Sequence, residues 1–288
     1  MFKNVLVGVD GTANGRDAIA LASRLIDPAS KPTLVHVHPG EFHPLHAITP
    51  ALLAEEQQAS VKLLEDERAA TDVDAEILSV VAPSPGAGLH GVAEESSADL
   101  LVVGSSGRGV IGRAMIGDDT RAALNGAPCA VAIAARGYAA NPIPIAKVGV
   151  AYNGSPESGT ALASARELAA ADGAVVYALE VVALPSYAFT GLMAPPLGDS
   201  IDAMLGEAKE RMGKLPDVHG DAVYGLAGEE LAAFGDELDL LVVGSRGYGP
   251  IRRLVLGSTS SYLERHARCS LLVLVRAGEA EPAARAAV

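Results

Sequence analysis

Cysteine is scarce: the 288-residue chain has two, Cys129 and Cys269. Both stand in apolar runs, "PCAVAIA" and "RCSLLVLV", and read as small core residues. Two such thiols do not make a disulfide framework, which agrees with a reducing, cytoplasmic setting. Long hydrophobic runs are missing as well. No apolar stretch reaches about 18 residues, so no transmembrane helix is expected. The opening "MFKNVLVGVDG" reads as strand and turn rather than as a signal peptide. Positive charge is in deficit: 22 Lys and Arg against 35 Asp and Glu leave a formal net charge of −13. Such a surface argues against nucleic acid and against membrane as partners. Several strings that carry familiar chemistries are also absent. There is no H-E-x-x-H, no G-x-S-x-G, and the Gly-Lys near Lys214 lacks the spacing of a phosphate-binding P-loop. No catalytic residue and no metal site is assigned. His36, His38, His43 and His46 fall within eleven residues, but the matching place in the second half has no histidine, so packing or loop exposure is expected.

What the chain does have is internal repetition, and that decides the fold. "KNVLVGVDGT" (Lys3 to Thr12) returns as "AKVGVAYNGS" (Ala146 to Ser155). "SADLLVVGS" (Ser97 to Ser105) returns as "ELDLLVVGS" (Glu237 to Ser245), and "APCAVAIAAR" as "ARCSLLVLVR". The order is kept, and a period of about 140 residues marks a duplicated domain rather than a solenoid. The expected domains are residues 1–137 and 145–277, joined by a stretch rich in glycine, proline and small residues. Residues 278–288 are expected to be a disordered tail. Within each unit, short β-branched runs alternate with helical periodicity in the order β-α-β-α-β-α-β-α-β. The strands are apolar almost throughout, so both faces are buried and the sheet is parallel with helices on both sides. In such α/β folds ligands bind beyond the carboxyl ends of the strands.

That is where the glycines lie. Gly107, Gly109 and Gly112 mimic a dinucleotide fingerprint, but the string follows the fourth strand instead of the first, and Arg252 replaces its last glycine in the second half. A different spacing survives duplication. Gly104, Gly107 and Gly117 are separated by two and nine residues, as are Gly244, Gly247 and Gly257. Bare backbone N–H groups followed by a helix start at Ser258 and Thr259 suit a polyphosphate. Gly109, Gly249 and Arg108 lie in the same stretches. The second half completes the pattern with Gly257-Ser258, whereas the first reads Gly117-Asp118-Asp119, two carboxylates that would repel phosphate by about 1–4 kcal/mol depending on dielectric. At the first strand the asymmetry runs the other way, Asp10 against Asn153.

These residues resemble the ATP-binding subclass of the universal stress protein family, over about residues 1–137 and 145–277. The resemblance implies two tandem domains, each a five-stranded parallel sheet in the order 3-2-1-4-5. It implies ATP, with or without magnesium, as the ligand or switch of a stress-response protein. Gly104, Gly107, Gly117, Gly244, Gly247, Gly257 and Ser258 would face phosphates and ribose. Asp10 would hold the nucleoside and the backbone of Val37 or Val181 would read adenine, with Gly8 and Ala151 beside them on the first strands. It further implies pairing of the two domains within one chain through their last strands, and a homodimer. A slow ATPase or nucleotidyl-transferring enzyme, and a nucleotide-free scaffold, are the alternatives. Three further expectations are simpler. Glu55, Glu56, Glu65, Asp66 and Glu67 read as a solvated helix face. The Pro-rich segment Ala183 to Asp199 reads as a lid, a partner contact or a packed loop. Arg246, Arg252 and Arg253 read as phosphate partners or solvated surface.

Overall fold

The structure, a computed structural model, describes residues 1–39, 50–105, 118–142, 144–183, 197–245, 254 and 257–275. Most of the Pro-rich segment and the chain end beyond residue 275 lie outside the described residues. The first half runs β1 (Val5–Gly8), α1 (Ala13–Leu25), β2 (Thr33–His38), α2 (Pro50–Thr71), β3 (Glu76–Val81), α3 (Pro85–Glu95), β4 (Leu100–Gly104), α4 (Asp118–Leu124) and β5 (Ala130–Ala134). A short 3-10 turn, Tyr138–Ala140, leads into the second half. That half runs β6 (Lys147–Ala151), α5 (Pro156–Asp172), β7 (Val175–Val182), α6 (Leu197–Gly213), β8 (His219–Tyr224), α7 (Ala227–Gly235), β9 (Leu240–Gly244), α8 (Ser258–His266) and β10 (Ser270–Leu274). Helix starts follow local chemistry. Thr12, Ser84 and Ser155 each accept a backbone N–H from the first turn of α1, α3 and α5, and Pro85 and Pro156 open the latter two helices.

All ten strands form one sheet, in the order β3-β2-β1-β4-β5-β10-β9-β6-β7-β8. Pairing is parallel within each half, and each half has the strand order 3-2-1-4-5 that the resemblance implies. The join is antiparallel: Val131, Ala132 and Ile133 of β5 face Val273, Leu272 and Leu271 of β10. The expected pairing of the domains through their last strands is therefore present inside the chain. One result is geometric. The strands of the two halves run in opposite directions, so the carboxyl edge of one half continues the amino edge of the other.

The core forms two layers. On one face, β-strand side chains such as Val5, Val7, Leu100, Leu240 and Leu272 pack with α1, α2, α5 and α6. On the other, Leu6, Leu101, Val131, Leu241 and Leu271 pack with α3, α4, α7 and α8. The alternation along each strand is what two-sided burial of a parallel sheet requires. Both cysteines are buried on this second face, and burial pushes each thiol up to about 12. The linker is part of the core rather than a free tether. Tyr138 and Ile145 are buried, and the buried carboxylate of Asp17 on α1 accepts the N–H groups of Gly137 and Ala139, both at 2.8 Å. Asp99 and Asp239 act alike, each accepting two N–H groups at the start of its half's first strand: Lys3 and Asn4, then Ala146 and Lys147.

Candidate functional site

At the end of β1 the chain turns sharply through Asp10, Gly11 and Thr12. Gly11 has φ +75, and its counterpart Gly154 has φ +78, a left-handed conformation that glycine adopts without strain. Asp10 Oδ1 accepts both the N–H of Thr12 (3.0 Å) and its hydroxyl (2.7 Å). Asn153 Oδ1 accepts the N–H of Ser155 in the same way, at 3.1 Å. Asp10 and Asn153 thus have the same local effect, since each folds the turn that starts the first helix of its half.

Gly104 and Gly244 end β4 and β9 beside these turns. A side chain on Gly104 would collide with the carbonyl of Asn14, whose carbon lies 2.6 Å from the site of a Cβ. On Gly244 it would meet the carbonyl oxygen of Glu157 at 2.6 Å. The immediate reason for these two glycines is therefore the close approach of a helix backbone, from the first turn of α1 or α5. Gly8 is less restrictive: its Cβ would sit 3.2 Å from Leu89, and the equivalent Ala151 carries one. Val37 and Val181 hold matching places in β2 and β7, paired with Val80 and Val223 of the edge strands.

The structure therefore brings Asp10 and Gly104 together around the start of α1, and Asn153 and Gly244 around the start of α5. Thr120 ties α4 to the same place, its hydroxyl donating to the carbonyl of Gly104 at 2.9 Å. Gly107, Arg108, Gly109, Gly117, Gly247 and Gly249 lie outside the described residues, as do Arg246, Arg252 and Arg253. Asp118 is the first residue of α4, and Ser258 and Thr259 open α8.

The start of α8 differs from those of α1, α3 and α5. Its N-cap is Gly257, which supplies no side-chain hydrogen bond, and among the described residues a Cβ there would meet nothing within 4 Å. An uncapped N-terminus keeps outward N–H groups and the positive end of the helix dipole. On the same side of the sheet, Ser245 follows Gly244. It is buried, its N–H donates to Leu274 at 2.9 Å, and its hydroxyl has no partner among the described residues. Among the described residues, a helix start with room beside it and no side-chain cap, and a buried hydroxyl without a partner, suit an anionic group in the second half.

Two side-chain clusters were not legible beforehand. His36 and His38 do share a face of β2, and that face meets α2. His36 Nδ1 lies 2.8 Å from Ser60 Oγ, to which Ser79 donates at 2.6 Å. His38 is buried, with Nε2 at 3.2 Å from Gln57 and Nδ1 at 3.6 Å from Glu56. Burial first, and then His38, hold His36 below its ordinary range, while Asp10 acts the other way. In the second half the place of His36 is taken by Glu180, in a two-pronged ion pair with Arg211 of α6 at 3.0 Å. The expected solvated face of α2 needs correction. Glu55, Glu65 and Asp66 are exposed, but Glu67 is buried and holds Arg16 through two bonds of 2.8 and 2.9 Å, and Glu56 turns toward His38. Among the described residues no group of three or more His, Cys, Asp or Glu could hold a metal ion, and no helix is long and apolar enough to cross a membrane.

The fold is a duplicated α/β unit with glycines at the carboxyl ends of its strands, and comparison with known proteins gives the family. The model of the universal stress protein family matches twice, over residues 1–135 and 144–276. The chain belongs to that family, as a tandem member. It is 31% identical over 185 residues to Universal stress protein Rv2005c of Mycobacterium tuberculosis, a match that spans 62% of this chain and 62%, less than two thirds, of that relative. A universal stress protein from Archaeoglobus fulgidus has the same fold, with a TM-score of 0.62 at 16% identity over 94% of this chain and 97% of its own. A shorter universal stress protein, solved in complex with cAMP, is 27% identical over 45% of this chain and 96% of its own, with a TM-score of 0.31.

Proposed function

We propose that the chain binds ATP in its second half, as a ligand that switches what the protein associates with during stress. The phosphates would lie against the start of α8, near Gly244, Ser245, Gly257, Ser258 and Thr259, with Asn153 and Val181 toward the nucleoside. The observation that carries this reading is the open, uncapped start of α8 at Gly257. Serine and threonine hydroxyls and free N–H groups at a helix start favour phosphate through hydrogen bonds and the helix dipole. The first half starts α4 with Asp118 and Asp119, which favours one ATP per chain rather than two. Gly8, Asp10, Val37, Gly104, Gly107, Arg108, Gly109 and Gly117 then belong to a weaker, duplicate site. The role proposed is binding, at most with slow hydrolysis, in a cytoplasmic protein that assembles as a pair of chains.

The test is to denature the purified protein, identify the released nucleotide, and titrate stripped protein with ATP, AMP and cAMP, with and without magnesium. About one ATP per chain is expected, lost in Gly257→Glu. No described atom lies within 4 Å of a Cβ at that position, so the circular dichroism spectrum should not change. Two per chain would assign both halves. No nucleotide and no binding would replace this reading with that of a scaffold.

A further inference from the structure

The second half's nine-residue spacer, between Gly247 and Gly257, contains Leu254. Leu254 does not rest on its own half alone. Its carbonyl accepts the N–H of Gly126 at 2.8 Å, and its N–H donates to the carbonyl of Ala127 at 2.9 Å. Gly126 and Ala127 form the turn between α4 and β5, in the first half. The Leu254 side chain is completely buried, in the same cluster as Ala123, Leu124 and Ala127 of the first half and Leu263 of α8. The antiparallel join makes the meeting possible, because the amino end of β5 lies beside the carboxyl end of β10.

The turn itself is specialised. Gly126 has φ +92, a conformation costly for residues with a Cβ. His90 on α3 fixes the end of α4 through a 2.8 Å bond to the carbonyl of Ala123, and its ring lies 3.6 Å from where a Gly126 Cβ would sit. The second half has His266 at the position of Gly126, and its ring turns back onto its own helix, with Nδ1 2.8 Å from the carbonyl of Tyr262. Two residues lie between Leu254 and Gly257, so their Cα atoms are at most about 10 Å apart. Whatever fixes Leu254 therefore limits where Gly257 and the start of α8 can lie.

We infer that the Gly126–Ala127 turn of the first half is a positioning element for the nucleotide site of the second, anchoring Leu254 just ahead of Gly257 and the start of α8. This rests on the reading that ATP binds at the start of α8. Neither Gly126 nor Ala127 touches nucleotide in this scheme; the effect passes through Leu254. Linkage makes it reciprocal: nucleotide in the second half stabilises the two bonds at the turn.

The experiment is an ATP titration of four full-length variants beside the wild type, with Gly257→Glu locating the nucleotide. Gly126→Val, which the left-handed turn disfavours, and Leu254→Ala should each weaken ATP about 5–10-fold, the lower part of the usual range for coupling between sites. Gly126→Asn, tolerated at positive φ, should bind like wild type. Leu25→Ala removes a fully buried side chain at the far end of α1 and controls for general loss of stability; it too should bind normally. Hydrogen exchange at Gly126 and Leu254 should slow on adding ATP to the wild type. Wild-type affinity in Gly126→Val and Leu254→Ala, or equal weakening in Leu25→Ala, overturns the proposal while leaving the site itself standing. Failure of the wild type to bind ATP, or binding that survives Gly257→Glu, removes the site and the proposal with it.

Discussion

At the scale of single residues, the two ends of the repeated glycine spacing obey different physics. Gly104 faces the carbonyl of Asn14 with no room for a methyl group, whereas a Cβ on Gly257 would meet no atom of the described residues within 4 Å. Gly104→Ala should therefore cost about 1–3 kcal/mol by overpacking, read as a lower midpoint in thermal unfolding. Gly257→Ala meets no such clash but replaces a favourable N-cap residue by a poor one, at about 0.5–1 kcal/mol, so it should lower the midpoint by about 2 °C, less than Gly104→Ala. His36 gives a second expectation. Its folded value lies below the ordinary 6.5, mainly through burial. Above 6.5 both states are neutral and nothing is lost. As pH falls through 6.5 the unfolded chain takes a proton first, so stability drops until His36 also protonates in the folded protein. His38 and Asp10 also act on it electrostatically, so the comparison must be with His36→Gln. Urea midpoints between pH 8 and pH 5 should fall more steeply for the wild type than for that variant.

At the scale of elements, much was legible, for stated reasons. Continuous apolar strands such as "LLVVG" require two covered faces, hence a parallel sheet; the apolar "CAVAIAA" and "CSLLVLV" require a neighbour, and each became the other's. What escaped was contact between distant positions. The charge of Glu67 reads as solvent-facing until Arg16, 51 residues away, is placed against it. Gly104 and Gly244 repeat at a fixed spacing, but a sequence cannot say whether a ligand or the backbone of α1 or α5 fills the gap. Leu254 is an apolar residue in a spacer, with nothing in its own half to mark it. The linker read as a simple joint of small residues, yet Asp17 fastens it. Asp17→Ala would leave the N–H groups of Gly137 and Ala139 without their acceptor, at about 1–3 kcal/mol for each one left buried. Faster amide exchange at both residues and a lower unfolding midpoint are expected, with Asp17→Asn intermediate because it keeps one oxygen.

At the scale of the whole molecule, the antiparallel join between β5 and β10 bears on how the chain reaches its structure. Val131 pairs with Val273, so that contact closes a loop of 142 residues, 273 minus 131. The entropy of closing such a loop is about 4 kcal/mol, more than for pairings inside either half. Each half can assemble its own five strands before this contact forms, but it then carries an uncovered apolar strand, β5 or β10. During that interval β5 of one molecule meets β10 of another as readily as its own, at a rate that grows with concentration. Refolding at high concentration therefore favours chains that exchange halves, and the same strand pair that completes the sheet becomes the seam along which the protein misassembles.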